Sequence, residues 1–236
     1  MELDYEFMQE AFFEIWNGAT VTLSLTAISL ALAAPIAFYF ALVRVHGRGT
    51  FNGLVSLYVS FVRGTPIILQ ILLIYSLLPS FLNILVKAVG LNINVFDLID
   101  PFWYAVVVFT LNTIALLTEV FRSALNSVPR GQYEAGVSIG LSRFATYIHV
   151  IVPQVLVVAL PAICNITVKL IKGTSLAFLM TVKDVMAIGK ISASYGYNYI
   201  ESYLDVFIVY IVLCSVIQVL YSLAEKKVGR YRPVYS

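Results

Sequence analysis

The sequence predicts an all-α integral membrane protein with about five transmembrane helices, and three observations predict it. The 236 residues are 60% hydrophobic and 12% charged, against roughly 25% charged for an average soluble domain. Five charge-free intervals, Ile15–Val43, Gly64–Val86, Pro101–Thr118, Val150–Val168 and Val206–Ala224, approach or exceed the ~20 residues a helix needs to cross the hydrocarbon core. Between them, Pro129–Pro153 is the only central stretch suited to water, being charged and marked by glycines.

One domain, 1–236, is expected, with spans at about 15–45, 52–86, 101–124, 150–172 and 203–225. An odd number of spans puts the termini on opposite sides. Only Glu2, Asp4, Glu6, Glu10 and Glu14 precede the first span, whereas Lys226, Lys227, Arg230 and Arg232 follow the last. Lysine and arginine favour cytoplasmic loops, so the N-terminus is expected outside and the C-terminus inside. The first charges are acidic, unlike a secretory signal, so the first span is expected to stay in the mature protein.

In the first span Thr20, Thr22, Ser24, Thr26 and Ser29 lie among small residues, a composition that lets membrane helices approach closely. Pro35 is expected to bend it. The second span begins either near Phe51 or at Gly64. The first choice buries Arg63 about 18 Å deep, where a charge costs at least ~2.5–3.5 kcal/mol unless it faces protein or water; the second leaves it at the boundary. Gly64, Thr65 and Pro66 favour a break there.

The third span carries Asn112 in its middle, and Glu119 three residues before Arg122, spaced to pair on one helix face. That pair reads as interfacial or as a proton relay. After the fourth span Gly173–Val182 is apolar but too short to cross. A periplasmic or re-entrant segment at about 173–200 is expected, with Lys169 and Lys172 on one helix face pointing into a cavity. The water-facing stretch holds Val137, Leu141, Phe144 and Ile148 at helical spacing, predicting one amphipathic helix at about 130–148 beside the membrane. Periodicity alone leaves it a plain surface helix.

Several chemistries are missing. No phosphate-binding GxxxxGK[ST] loop exists, and His46 and His149 are too far apart in sequence to suggest a metal site or a triad. Cys164 and Cys214 lie inside spans and read as small core residues. The net charge of +2 comes from loops and does not suggest nucleic acid. No enzyme is expected.

Glu134, Ala135, Gly136, then Gly140, then Val150, Val152 and Pro153 resemble the EAA motif of permease subunits of ATP-binding cassette (ABC) importers: EAA, three residues, G, nine residues, I-x-L-P. Gly136 replaces the second alanine, and valines replace the isoleucine and leucine. Asn17 onward resembles the N-G-x-x-x-T-L opening of polar amino acid permeases. Arg63-Gly64-Thr65-Pro66 with Gln70, the E-x-x-R and V-P-x-G-Q phrases before Glu134, and Lys172-Gly173-Thr174-Ser175 resemble the same family, with Gly173 in place of an aspartate. The resemblance runs from Asn17 to Arg230.

It implies the type I importer permease fold, in a bacterial cytoplasmic membrane. It further implies a coupling helix that docks on separate ATPase subunits through Glu134, Ala135, Gly136, Gly140, Arg143 and Pro153. A solute path is expected along Arg63, Gly64, Thr65, Pro66, Gln70, Lys169, Lys172, Gly173, Thr174 and Ser175. ATP and magnesium would sit on the partner ATPase, with no cofactor on this chain. The other implied partners are an extracytoplasmic binding protein, a second permease copy or a similar subunit, and the bilayer. Loss of the aspartate favours neutral or dicarboxylic amino acids, including cystine, over cationic ones. The alternative is an ion-coupled secondary transporter using Glu119, Arg63 or Lys169.

Overall fold

The computed structural model describes residues 3–47, 49–90 and 94–228. Glu2, Arg230 and Arg232, which enter the charge argument, lie outside the described residues. Within them all regular structure is helical: α1 (Tyr5–His46), α2 (Thr50–Gly64), α3 (Ile67–Ala88), the single turn α4 (Val95–Leu98), α5 (Pro101–Ser127), α6 (Arg130–Ser138), α7 (Arg143–Thr146), α8 (Val152–Thr174), α9 (Val185–Gly196) and α10 (Tyr199–Val228). A π-helical turn, Tyr147–Ile151, joins α7 to α8, and a 3₁₀ turn, Ala177–Met180, follows α8. Five rods are long and apolar enough to cross a membrane: α1, α3, α5, α7 through α8, and α10.

α1 starts well ahead of the expected boundary near 15, because the Asp4 carboxylate accepts the Phe7 N–H at 3.0 Å and caps the helix. It runs unbroken through Pro35. The second apolar region is two helices where one span at about 52–86 was expected: Thr65 and Pro66 are both extended, since proline drives the preceding residue out of helical geometry.

α5 is the hub. Two-thirds (67%) of its most apolar window is buried, against 17–28% in the other four rods. Ala33, Ala37 and Ala41 of α1 recur every four residues and admit Leu117 and Phe121 of α5 to close contact. Further along, Leu25, Ile71, Val108, Phe109, Leu170 and Met180 fill the centre.

The stretch after α8 folds back into the bundle. Ala177, Met180, Val182 and Val185 are buried among α1, α3, α5 and α8. Asp184, fully buried, caps α9 by accepting the Ala187 N–H at 2.9 Å, and Tyr210 of α10 donates to its other oxygen at 3.1 Å. Burial raises the Asp184 carboxyl above its ordinary range, opposed by hydrogen bonds from the Ala187 and Met186 amides and from Tyr210.

Gly18 lets α1 touch the backbone at Asp184–Val185. A Cβ at this position would lie 2.7 Å from the Val185 nitrogen and 2.9 Å from the Asp184 carbonyl carbon. Neither neighbour is the end of a flexible side chain, so one element must shift. Gly18→Ala is expected to lower stability by about 1–3 kcal/mol, the usual cost of overpacking, measured as a lower unfolding midpoint in detergent. An unchanged midpoint would contradict this packing.

Candidate functional site

Two regions carry the sequence-derived site residues. The first is the tip formed by α6 and α7. α6 ends at Ser138, and Gly140 just beyond it takes φ 91°. Its N–H donates to Val137 O at 3.0 Å while the Leu141 N–H donates to Gly136 O at 3.2 Å. These are the paired bonds of a Schellman stop, whose left-handed residue is usually glycine. Ser142 then accepts the Ala145 N–H at 3.2 Å and starts α7. The single helix expected at about 130–148 is therefore two, and the apolar row from Val137 to Ile148 runs across a helix stop. Ile139 and Phe144 are 79% and 76% exposed, and Val137 and Ile148 are exposed as well.

Gly136, the departure from the EAA pattern, is buried because Thr146 occupies the space beside it: a Cβ would fall 2.5 Å from Thr146 Cγ2. Glu134, Ala135, Gly140, Arg143 and Pro153 are exposed. Pro153 lacks an N–H and its ring crowds the carbonyl four residues back, and the helix widens just before it, with the Val152 N–H reaching Tyr147 O in a π turn. The tip is tied to its neighbours. Tyr147 Oη lies 2.6 Å from His46 Nε2 at the end of α1, and Gln154 of α8 donates to Gln132 of α6 at 3.3 Å. A cleft of about 690 Å³ opens there, lined by His46, Asn126, Arg130, Tyr133, Glu134 and Tyr147 among others.

The second region is a cleft of about 330 Å³ between the α2–α3 break, α5 and α8. Arg63, Thr65, Lys169, Lys172 and Gly173 line it together with Asn112. Gln70 stands behind this wall. Its amide nitrogen reaches Val62 O at 2.9 Å, Thr65 O at 3.2 Å and Thr65 Oγ1 at 2.9 Å, satisfying carbonyls that the break frees. Asn112 of α5 donates to Gln70 Oε1 at 3.1 Å. Gly64, Pro66, Thr174 and Ser175 do not line the cleft. Thr174 is buried and donates to Ile171 O at 2.7 Å, and Ser175 donates to Lys172 O at 2.7 Å, closing the end of α8.

Beside the cleft, Glu119 gathers three arginines. Arg122 Nη2 and Nε lie 2.9 and 3.1 Å from its Oε2, Arg44 pairs with its Oε1, and Arg63 Nη1 is 3.8 Å from Oε2. The Glu119–Arg122 spacing is readable in sequence, whereas Arg44 and Arg63 arrive from other helices and leave no local signal. Asn112 was visible as a mid-span amide, but its link to Gln70 joins residues 42 positions apart.

Residues 33–230 match the family described as binding-protein-dependent transport system inner membrane component. The chain is 35% identical over 228 residues to the probable amino-acid permease protein YxeN of Bacillus subtilis, covering 97% of each chain. It is 31% identical over 231 residues to the L-cystine transport system permease protein TcyB of the same organism, covering 97% of this chain and 93% of that one. Among solved structures, a chain of the crystal structure of an amino acid ABC transporter with histidines is similar at a TM-score of 0.79 and 26% identity, covering 96% of this chain and 100% of the other.

Three substitutions test the geometry. Gly136→Ala is expected to cost about 1–3 kcal/mol through its clash with Thr146, and Thr146→Ala in the same chain to restore part of the lost unfolding midpoint. Simple additivity of the two would contradict the contact. Gln70→Leu strands the carbonyls of Val62 and Thr65 and is expected to cost about 1–3 kcal/mol, with faster hydrogen exchange around residues 62–70 as its local signature.

Proposed function

This chain belongs to the family of binding-protein-dependent transport system inner membrane components, and from that membership we propose that it forms one half of the solute path of an amino acid importer. It is a multi-pass membrane protein with the type I permease fold. In the proposed assembly a second copy or a similar subunit completes the path. An extracytoplasmic binding protein delivers solute from the side of the N-terminus, and two ATPase subunits, carrying ATP and magnesium, dock on the side of α6. Closure of the ATPase pair moves α6 and α7 as one lever, and the two permease subunits alternate between inward-open and outward-open.

The observation that carries this reading is the tip. Glu134 on α6, and the apolar Ile139 and Phe144 beyond it, stand exposed at the end of a helix pair tied to α1 and α8. Apolar side chains held out on a rigid charged knob are suited to a protein groove. Glu134, Ala135, Gly140, Arg143 and Pro153 are proposed to meet or shape the ATPase contact, with Gly136 holding the two helices together. The cleft at Arg63, Thr65, Lys169, Lys172 and Gly173 supports a solute path across α2, α5 and α8. Neutral or dicarboxylic amino acids, including cystine, are favoured, since Gly173 places no carboxylate beside the lysines.

Reconstitution of the complex with its ATPase and binding protein tests the reading. Glu134→Lys is expected to lower ATP-driven uptake about tenfold or more by setting a wrong charge at the docking surface. Unchanged uptake and unchanged co-purification of the ATPase would overturn the docking assignment. Uptake by the purified chain alone under a proton or sodium gradient would overturn the importer reading itself.

A further inference from the structure

The charges that line the α2–α5–α8 cleft are all of one sign. Arg63, Lys169 and Lys172 face it, and no carboxylate does. Among the described residues every ion pair runs to Glu119, so neither lysine has a carboxylate within bridging distance. Glu119 does not offset the cleft. Three guanidinium groups surround its single carboxylate, leaving two positive charges over, and Arg63 is the most distant of the three.

The neutral polar groups point the same way. The Gln70 amide nitrogen is spent on the broken helix, and Asn112 spends its nitrogen on Gln70. That leaves the Asn112 carbonyl oxygen as a side-chain acceptor able to take an ammonium group. Val62, Ile67, Phe109, Leu116, Ile166 and Leu170 form the apolar part of the wall, while Arg63, Lys169 and Lys172 are themselves exposed. The volume, about 330 Å³, is near the lower end for small-molecule sites, roughly 300–1,000 Å³. It suits one amino acid. Gly173 is not imposed by packing either, since a Cβ there would sit at an ordinary 3.7 Å from Phe109 Cε1.

Resting on the importer reading, we propose that this cleft selects amino acids carrying a second carboxylate, with Arg63, Lys169 and Lys172 setting the preference. One carboxylate is held by the lysines of α8 and the other by Arg63, while the α-ammonium turns to Asn112. A cationic amino acid would bring a further positive charge against three others with no carboxylate to receive it, and is rejected by repulsion.

The test is calorimetric titration of the permease–ATPase complex in nanodiscs, without the binding protein, using glutamate, glutamine and arginine. Glutamate and glutamine differ in one charge at nearly equal size. Glutamate is expected to bind about tenfold or more tighter than glutamine, with arginine undetected. Lys169→Gln with Lys172→Gln is expected to weaken glutamate binding about ten- to hundredfold, as loss of charge-assisted bonds does, and to bring the two affinities together. Lys172→Arg, which keeps the charge, is expected to retain the preference and shows that loss in the glutamine variants is not misfolding. Equal or tighter binding of glutamine, tighter binding of arginine, or no binding to a complex that imports a polar amino acid would overturn the proposal. A preference for glutamate in a chain that takes it up without the ATPase would support the cleft assignment while overturning the importer reading.

Discussion

A hydrocarbon slab offers no hydrogen-bond partner, so each backbone polar group at that depth must be satisfied by its own helix or by a nearby side chain. The long rods meet this condition by themselves. Three threonine hydroxyls turn back onto their own helices, Thr26 to Thr22 O, Thr118 to Ile114 O and Thr167 to Ile163 O, so these three are not stranded donors. The interruption at Gly64–Pro66 is tolerated because Gln70 covers the freed carbonyls. Irregular backbone, a buried amide and a polar cleft therefore occur together, as the consequence of one constraint.

Charge obeys the same logic. Among the described residues Glu119 is the carboxylate that pairs with arginine, and it is shared among arginines of α1, α2 and α5. Removing one arginine leaves the carboxylate partnered, whereas removing the carboxylate leaves several cations facing one another. The cluster thus fastens three helices through a single acidic side chain, and it places Arg63 where the helix break turns toward the cleft.

Much of the architecture was legible in the sequence because a membrane writes its demands in runs of apolar residues. All five crossing rods follow from composition and interval length, and the Gly64–Pro66 break follows from proline sterics. What was missed has identifiable causes. The start of α1 lay in a charged stretch, where a capping aspartate outweighs hydropathy. At the tip Val137, Leu141, Phe144 and Ile148 keep a helical period across a stop and so predict one helix, although Gly140 and Ser142 are ordinary end and start signals. The arrival of Arg44 at Glu119 and the Asn112–Gln70 bond are long-range contacts with no local trace. In the cleft, helical spacing put the two lysines on one face and Arg63 stands out as a charge beside the Gly64–Pro66 break, whereas Thr174 has its hydroxyl turned inward onto its own helix.

The double cap at the tip has a further consequence. A glycine stop, a serine start, a buried Gly136–Thr146 contact and a tyrosine–histidine tie leave α6 and α7 few alternative arrangements. Ile139 and Phe144 are thus held out in fixed directions before anything meets them. In the proposed assembly, a surface that closes over this knob has little chain entropy to remove, and motion imposed there would pass to α1 and α8 through these ties without being lost in a flexing loop.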